Sequence, residues 1–273
     1  MITIAGGTGR LGSLVIRRLA QRGLEVRVIT RDPARAAHLR DLSVEIVAAD
    51  VRDRAGIRTA LQGASTVLSA IHGFAGPGRV SPQSVDRDGN ANLIDAAAQT
   101  GAEVILMSVV GASAQHPIEL FRAKHAAEQR LMASRARWTI VRATAFLELW
   151  DDIMTKPIVF GRGENPINFV SVYDVSAVVE RVILAPGHRG GIIEVAGPQN
   201  LTFNQLAELQ QRARGKTENV RHIPRAILRA GAPFSRQARA ALAMDTIDMT
   251  VDPTPRKAAN RPLTEPLEAL SRR

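Results

Sequence analysis

Short apolar runs rich in β-branched residues alternate along the chain with segments whose apolar positions recur every three to four residues. That alternation is the pattern of parallel strands joined by helices that cover both faces of a sheet. Strands are expected over 2–5, 25–30, 44–48, 66–71, 103–108 and 138–142, with a final one over 192–196. After the first strand, Leu11, Leu14, Val15 and Leu19 fall on one helical face, and Gly23 offers a left-handed stop. Asp32-Pro33 reads as an N-cap and first helical residue, and Asp53 as the cap of a helix closed by Gly63. Further helices are expected over 84–99, 118–134 and 175–185. Because crossovers between parallel strands are right-handed, this succession predicts a doubly wound Rossmann sheet of order 3-2-1-4-5-6-7.

The pattern weakens twice. Residues 144–169 carry Pro157, Gly161, Gly163 and Pro166 and read as loops with a short hairpin. Beyond Gly197-Pro198, the capping box Thr202-x-x-Gln205 opens a helix that Gly215 closes. The remainder, with Pro253, Pro255, Pro262 and Pro266, is poorly patterned. The expected organisation is one α/β domain over 1–273 with a small substrate-side lobe built from 144–170 and 198–273.

Composition narrows the chemistry. A chain of 273 residues that is 45% hydrophobic supports a large core. It has no cysteine, which excludes disulfides and thiolate chemistry. The histidines at 38, 72, 116, 125, 188 and 222 show no metal-ligand spacing, so no metal site is expected. No apolar run is long enough to span a bilayer and no charged leader precedes Ile2, so a cytoplasmic protein without a membrane partner is expected. The net charge of +10 invites a nucleic-acid reading. However, 32 of the 36 basic residues are arginines spread through Ala-rich helices, and there is one tyrosine and no ribbon of aromatic and basic residues to stack bases. A small-molecule substrate is therefore expected rather than a nucleic acid; no feature sets the oligomeric state.

The strongest chemical signal is Gly6-Gly7-Thr8-Gly9-Arg10-Leu11-Gly12, lying directly between a strand and an amphipathic helix. Gly6 permits the tight turn, Gly9 lets backbone approach a pyrophosphate, and Gly12 allows close helix packing. The N–H groups at the helix start favour negative charge. The spacing G-x-x-G-x-x-G is the short-chain dehydrogenase/reductase variant of the dinucleotide fingerprint. An acidic residue ending the second strand would bind the ribose hydroxyls of NAD, but Thr30 stands there, followed by Arg31. Arg31 and Arg10 together would clamp a 2′-phosphate, which favours NADP over NAD. Asp32 has two readings, ribose ligand or helix cap. Asp50, after the third strand, is placed either to accept from the adenine amino group or to lie in a solvated turn, and Val51 and Ala70 join the expected cofactor contacts.

The chain resembles the NmrA-like family of atypical short-chain dehydrogenase/reductases. The likeness rests on IAGGTGRLG at 4–12, VITRDP at 28–33, AADVRD at 48–53, VILMSVVGA at 104–112, TIVRAT at 139–144, FVSVYDVSAVV at 169–179 and EVAGPQNLTFNQLA at 194–207. The resemblance implies a Rossmann fold, an NADP(H) cofactor and either of two activities. One is an NADPH-dependent reductase acting on a small carbonyl, enone or quinone; the other is a regulator that senses NADP(H) without turnover. Family relatives carry a serine after strand five and a Tyr-x-x-x-Lys pair on the next helix. Ser108 and Lys124 match, but Leu120 stands where the tyrosine belongs, and its neighbour is Phe121. The resemblance thus implies catalytic roles for Ser108 and Lys124, the lysine holding the nicotinamide ribose or supplying the proton. The competing reading of Lys124 is an exposed i,i+4 pair with Glu128.

Gly73, Gly76 and Gly78 make the loop after the fourth strand pliable, and His72 begins it. His72 reads as a donor to cofactor or substrate, or as a loop residue bonded to backbone. Phe146, Leu147 and Trp150 follow the sixth strand and form either an apolar pocket wall, with Phe146 and Trp150 facing substrate, or core under the lobe.

Overall fold

Strand β1 (Ile2–Ala5), buried over its last three residues, runs into the glycine turn and α1 (Arg10–Gln21). The computed structural model describes residues 1–74, 80–252 and 262–272. The buried stripe of α1 is Leu11, Gly12, Val15, Ile16 and Leu19, so Ile16 takes the core position that spacing gave to Leu14. Arg18 of this helix and Arg22 just beyond its end bind Glu180 at 3.0 and 2.7 Å. Gly23 adopts φ +70° and stops the helix without Cβ strain.

β2 (Val26–Thr30) leads to Asp32, whose carboxylate accepts from Ala34 N–H at 3.0 Å, and then to a 3₁₀ helix over Pro33–Leu42. β3 (Glu45–Ala48) and α2 (Arg54–Ala60) follow, with Asp53 capping α2 through Ala55 N–H. β4 is shorter than the apolar run suggests, Thr66–Ser69, so Ala70 and Ile71 leave the strand. The next helix begins earlier than expected, because Ser81 and Ser84 form a capping box ahead of Pro82. A wide π turn over Pro82–Arg87 then passes into α3 (Asp88–Thr100). β5 (Glu103–Val109), α4 (Glu119–Met132) and β6 (Trp138–Ala143) continue the alternation.

After β6 come β7 (Ala145–Phe146), α5 (Leu147–Ile153), β8 (Ile158–Phe160) and β9 (Ile167–Val170). α6 (Val172–Leu184) and β10 (Gly191–Val195) then complete the main sheet. Its seven strands have the order β10-β6-β5-β4-β1-β2-β3, which is the expected 3-2-1-4-5-6-7 arrangement with β10 as seventh strand. The pairs from β3 through β5 are all parallel. Chain contacts gather into two units, 1–142 with 176–194, and 143–175 with 195–273.

In the second unit, β11 (Gln199–Leu201), α7 (Phe203–Ala213), β12 (Arg221–Ile223), α8 (Arg225–Gly231), α9 (Arg236–Met244) and α10 (Pro266–Ser271) follow. Thr202 and Gln205 cap α7 as expected. The hairpin expected within 144–169 does not form. β8 pairs in parallel with β12, whereas β9 lies antiparallel to β11 and parallel to β7. The reason is visible at Asp245, a buried carboxylate that accepts from Arg162 N–H at 3.0 Å and Gly163 N–H at 3.2 Å. It holds the chain between β8 and β9 open instead of letting the two strands meet. Glu148 of α5 plays a similar part, accepting from Ser171 Oγ at 2.6 Å and Val172 N–H at 2.8 Å at the start of α6. Pro253 and Pro255 lie outside the described residues. Among the described residues, no helix is long and apolar enough to cross a membrane.

Candidate functional site

The glycine turn has little room for any other residue. Gly6 has φ +85°, and a Cβ there would stand 2.5 Å from the Ala70 carbonyl oxygen; a Cβ on Gly12 would meet the Gly6 carbonyl oxygen at 2.4 Å. Gly7 is packed against Val28 and Ile16. Thr8 is half-buried, Leu11 is buried, and Gly9 and Arg10 are exposed. Gly9 is the N-cap of α1 and makes no side-chain cap, so the start of this twelve-residue helix, where N–H groups favour negative charge, carries no capping side chain from that position. Ser13 supports this turn, donating to Gly7 O at 3.0 Å and meeting His38 Nε2 at 3.1 Å. Neither Ser13 nor His38 carries a sequence signal, because their meeting depends on the 3₁₀ segment folding back beside α1.

At the end of β2, Thr30 Oγ1 bonds to the Asp32 backbone, and Asp32 spends its carboxylate as a helix cap. Of the two readings of Asp32, the cap is the one the structure contains. Arg31 is exposed and makes no hydrogen bond or ion pair among the described residues. Asp50 is clasped by Arg52, whose Nε and Nη2 donate to it at 3.0 and 2.6 Å. That clasp holds the Asp50 carboxyl below the usual carboxylate range against the opposing effect of burial, and the charge of Arg31 acts in the same direction. Val51 is buried, with its carbonyl accepting from Asn92 Nδ2 at 2.9 Å.

The segment after β4 is organised by a buried charge pair. Lys124, on α4, places Nζ 3.0 Å from Asp86 Oδ1, the lysine side chain being 5% exposed and the aspartate fully buried. Lys124 Nζ also donates to Ile71 O at 2.9 Å, while Asp86 Oδ2 accepts from Gly73 N–H at 2.7 Å. The backbone on both sides of His72 is therefore held by the two members of one ion pair. An exposed Lys124–Glu128 pair does not occur: Glu128 is wholly buried and takes two hydrogen bonds from Arg142, at 2.9 and 2.7 Å. Asp86 was missed by sequence reading because nothing local distinguishes it from a solvated helix-start residue.

His72 itself is exposed, yet the atoms around the ring lower its pKa below the ordinary imidazole value, as does Lys124, with Asp86 opposing. Ala70 N–H returns to Ala5 O at 2.9 Å, which fixes the start of this segment beside the glycine turn. Ser108, near the end of β5, is buried with its Oγ lacking a hydrogen-bond partner among the described residues. Gly76 and Gly78 lie outside the described residues. In the second unit, Phe146 and Trp150 are half-buried, and the Trp150 ring meets Phe203 edge-on at 4.8 Å. Among the described residues, no group of three or more His, Asp or Glu side chains comes together in a way that could hold a metal ion.

An open helix start behind a crowded glycine turn suits a dinucleotide pyrophosphate. A family profile described as NAD(P)H-binding matches residues 6–186. The chain is 28% identical over 229 residues to the NAD(P)H azoreductase of Xenophilus azovorans, covering 82% of this chain and 76% of that protein. It is 24% identical over 242 residues to a photosystem II assembly factor of Synechocystis, covering 86% and 74%. The NADPH complex of the NADPH-dependent quinone oxidoreductase of Escherichia coli has a TM-score of 0.79 to this fold at 25% identity, with 99% of both chains covered. With this turn geometry, this strand order and a match running from Gly6 past α6, the chain belongs to the NAD(P)H-binding family of NmrA-like, atypical short-chain dehydrogenase/reductases.

Proposed function

We propose that this protein is an NADPH-dependent reductase acting on a small carbonyl, enone or quinone acceptor. The observation that carries the reading is the uncapped start of α1 behind Gly6 and Gly12, in a chain whose relatives include an azoreductase and a quinone oxidoreductase solved with NADPH. Bound NADPH would supply the hydride. Arg31 supports choice of the phosphorylated cofactor, since it is exposed while the neighbouring Asp32 is spent on capping and Asp50 is clasped by Arg52. We assign Arg10 to the same phosphate, Asp50 and Val51 to the adenine end, and Ala70, His72 and Lys124 to the nicotinamide end. Ser108, buried with an unused hydroxyl, is the group offered to the acceptor or the nicotinamide amide. Phe146 and Trp150 are the apolar residues assigned to acceptor contact.

A second reading is an NADP(H)-binding regulator without turnover. It is favoured by Leu120 at the place of the family tyrosine and by the photosystem II assembly factor among the relatives. Incubating the protein with NADPH and a panel of quinones, enones, aldehydes and azo compounds, while following nicotinamide absorbance, separates the two. Acceptor-dependent oxidation is expected. Tight NADPH binding with no oxidation across the panel would overturn the reductase reading in favour of the regulator.

A further inference from the structure

We propose that Asp86 is a positioning residue. Through Lys124 on one side and Gly73 N–H on the other, it fixes the backbone around His72 and so sets the affinity for the nicotinamide half of the cofactor. The proposal rests on the assignment above of Ala70, His72 and Lys124 to the nicotinamide end of the cofactor.

The geometry forms a closed circuit from Ile71 O to Lys124 Nζ at 2.9 Å, to Asp86 Oδ1 at 3.0 Å, and from Asp86 Oδ2 to Gly73 N at 2.7 Å. His72 is the one residue bracketed between the two anchored backbone groups. The circuit is tied from behind as well: Asn90 Nδ2 donates to Asp86 O at 2.6 Å, and Ser69 Oγ at the end of β4 donates to Asn90 Oδ1 at 2.5 Å. Gly73 has no slack, since a Cβ there would stand 2.2 Å from Ser81 O, at the entry of the π turn that carries Asp86. π turns of this kind recur at functional sites, where they re-aim one side chain of a helix.

The pair also decides what Lys124 can do. Its Nζ is committed to Asp86 Oδ1 and to Ile71 O, and removing one partner of a buried pair is strongly unfavourable. Lys124 is therefore held as the fixed partner of Asp86 and organises the Ile71–Gly73 segment. Because β1 and β4 are adjacent and parallel, with Ala5 beside Ser69, this segment emerges next to the glycine turn. Its conformation is thus part of the cofactor surface.

The test uses Asp86→Asn, Lys124→Met and the double variant that removes both charges, with affinity measured by calorimetry for two ligands. One is NADPH; the other is its 2′-phosphoadenosine diphosphate fragment, which lacks the nicotinamide half. Every variant is expected to bind NADPH about 10-fold or more weakly, while the fragment binds within about 2-fold of wild type. The double variant keeps the test alive if a lone buried charge prevents folding, since replacing both partners of such a pair often leaves stability intact. Equal weakening of both ligands would show a merely structural pair, and recovery of NADPH affinity in the double variant would do the same. A Lys124→Met variant that binds NADPH like wild type but turns over about 100-fold more slowly would make Lys124 a direct proton donor. Either result overturns the proposal. Wild-type protein that binds NADPH but reduces nothing sinks only the reductase reading, because the binding comparison stands without turnover.

Discussion

Gly12 lies so close to the turn before it that a Cβ on it would stand 2.4 Å from the carbonyl oxygen of Gly6. The obstacle is backbone, which cannot swing aside as a flexible side-chain end would. Gly12→Ala should therefore push α1 away from the turn, costing about 1–3 kcal/mol of stability by overpacking. It should also weaken NADPH binding by about 10-fold or more, because the helix start no longer meets the pyrophosphate. Denaturant unfolding and cofactor titration of the variant check both parts. Unchanged affinity would remove the turn from the binding site.

Arg31 is exposed and its charge is felt at Asp50 across the strand ends. Wild-type protein is expected to prefer NADPH over NADH by about 10-fold or more at low salt, with the preference shrinking as salt screens the contact. Arg31→Asp should reverse the preference. Titration with both cofactors at two ionic strengths decides the matter, and equal affinities in wild type at low salt would defeat the assignment.

Glu128 is wholly buried on α4 and holds Arg142 of β6 through two hydrogen bonds, with Glu194 at 3.6 Å as a weaker second partner of the arginine. Glu128→Ala removes the buried anion and leaves the guanidinium poorly compensated, at an expected cost of about 3 kcal/mol. Replacing both residues with leucine should recover most of that. Urea unfolding of the single and double variants measures it; a single variant within about 0.5 kcal/mol of wild type would show that the pair contributes nothing net.

Half-buried His116, stacked on Phe121, and exposed His72 both have folded pKa values below the ordinary 6.5, in each case chiefly because the protein atoms around the ring disfavour the cation, with Arg122 and Lys124 adding to it respectively. The sign follows directly. As pH falls through about 6.5 the unfolded chain takes up these protons first, so stability present above that pH is lost below it. The thermal midpoint should fall between about pH 7.5 and pH 5.5, before carboxylates titrate. His116→Gln should flatten part of that slope. A midpoint that stays level or rises on acidification over this range would contradict the preference of these rings for the neutral form in the folded protein.

What the chain alone determined is whatever depends on neighbours in sequence. The left-handed stop at Gly23, the caps at Asp53 and Thr202, and the crowded turn at Gly6 follow from local backbone freedom and local hydrogen bonding. The order of the seven-stranded sheet follows too, because right-handed crossovers leave almost one way to wind alternating strands and helices. Tertiary structure decided the rest. Residues 144–169 resisted reading because β8 and β9 find their partners at Arg221–Ile223 and Gln199–Leu201, far along the chain, and no local period encodes such pairings. Lys124 was legible as a candidate, yet its partner was not. A lysine with glutamate four residues on looks like a solvated helix pair. Only when α4 packs beside the π turn and β6 does the glutamate go to Arg142 and the lysine to Asp86, because a charge that enters the interior must be met by whichever opposite charge the fold brings there.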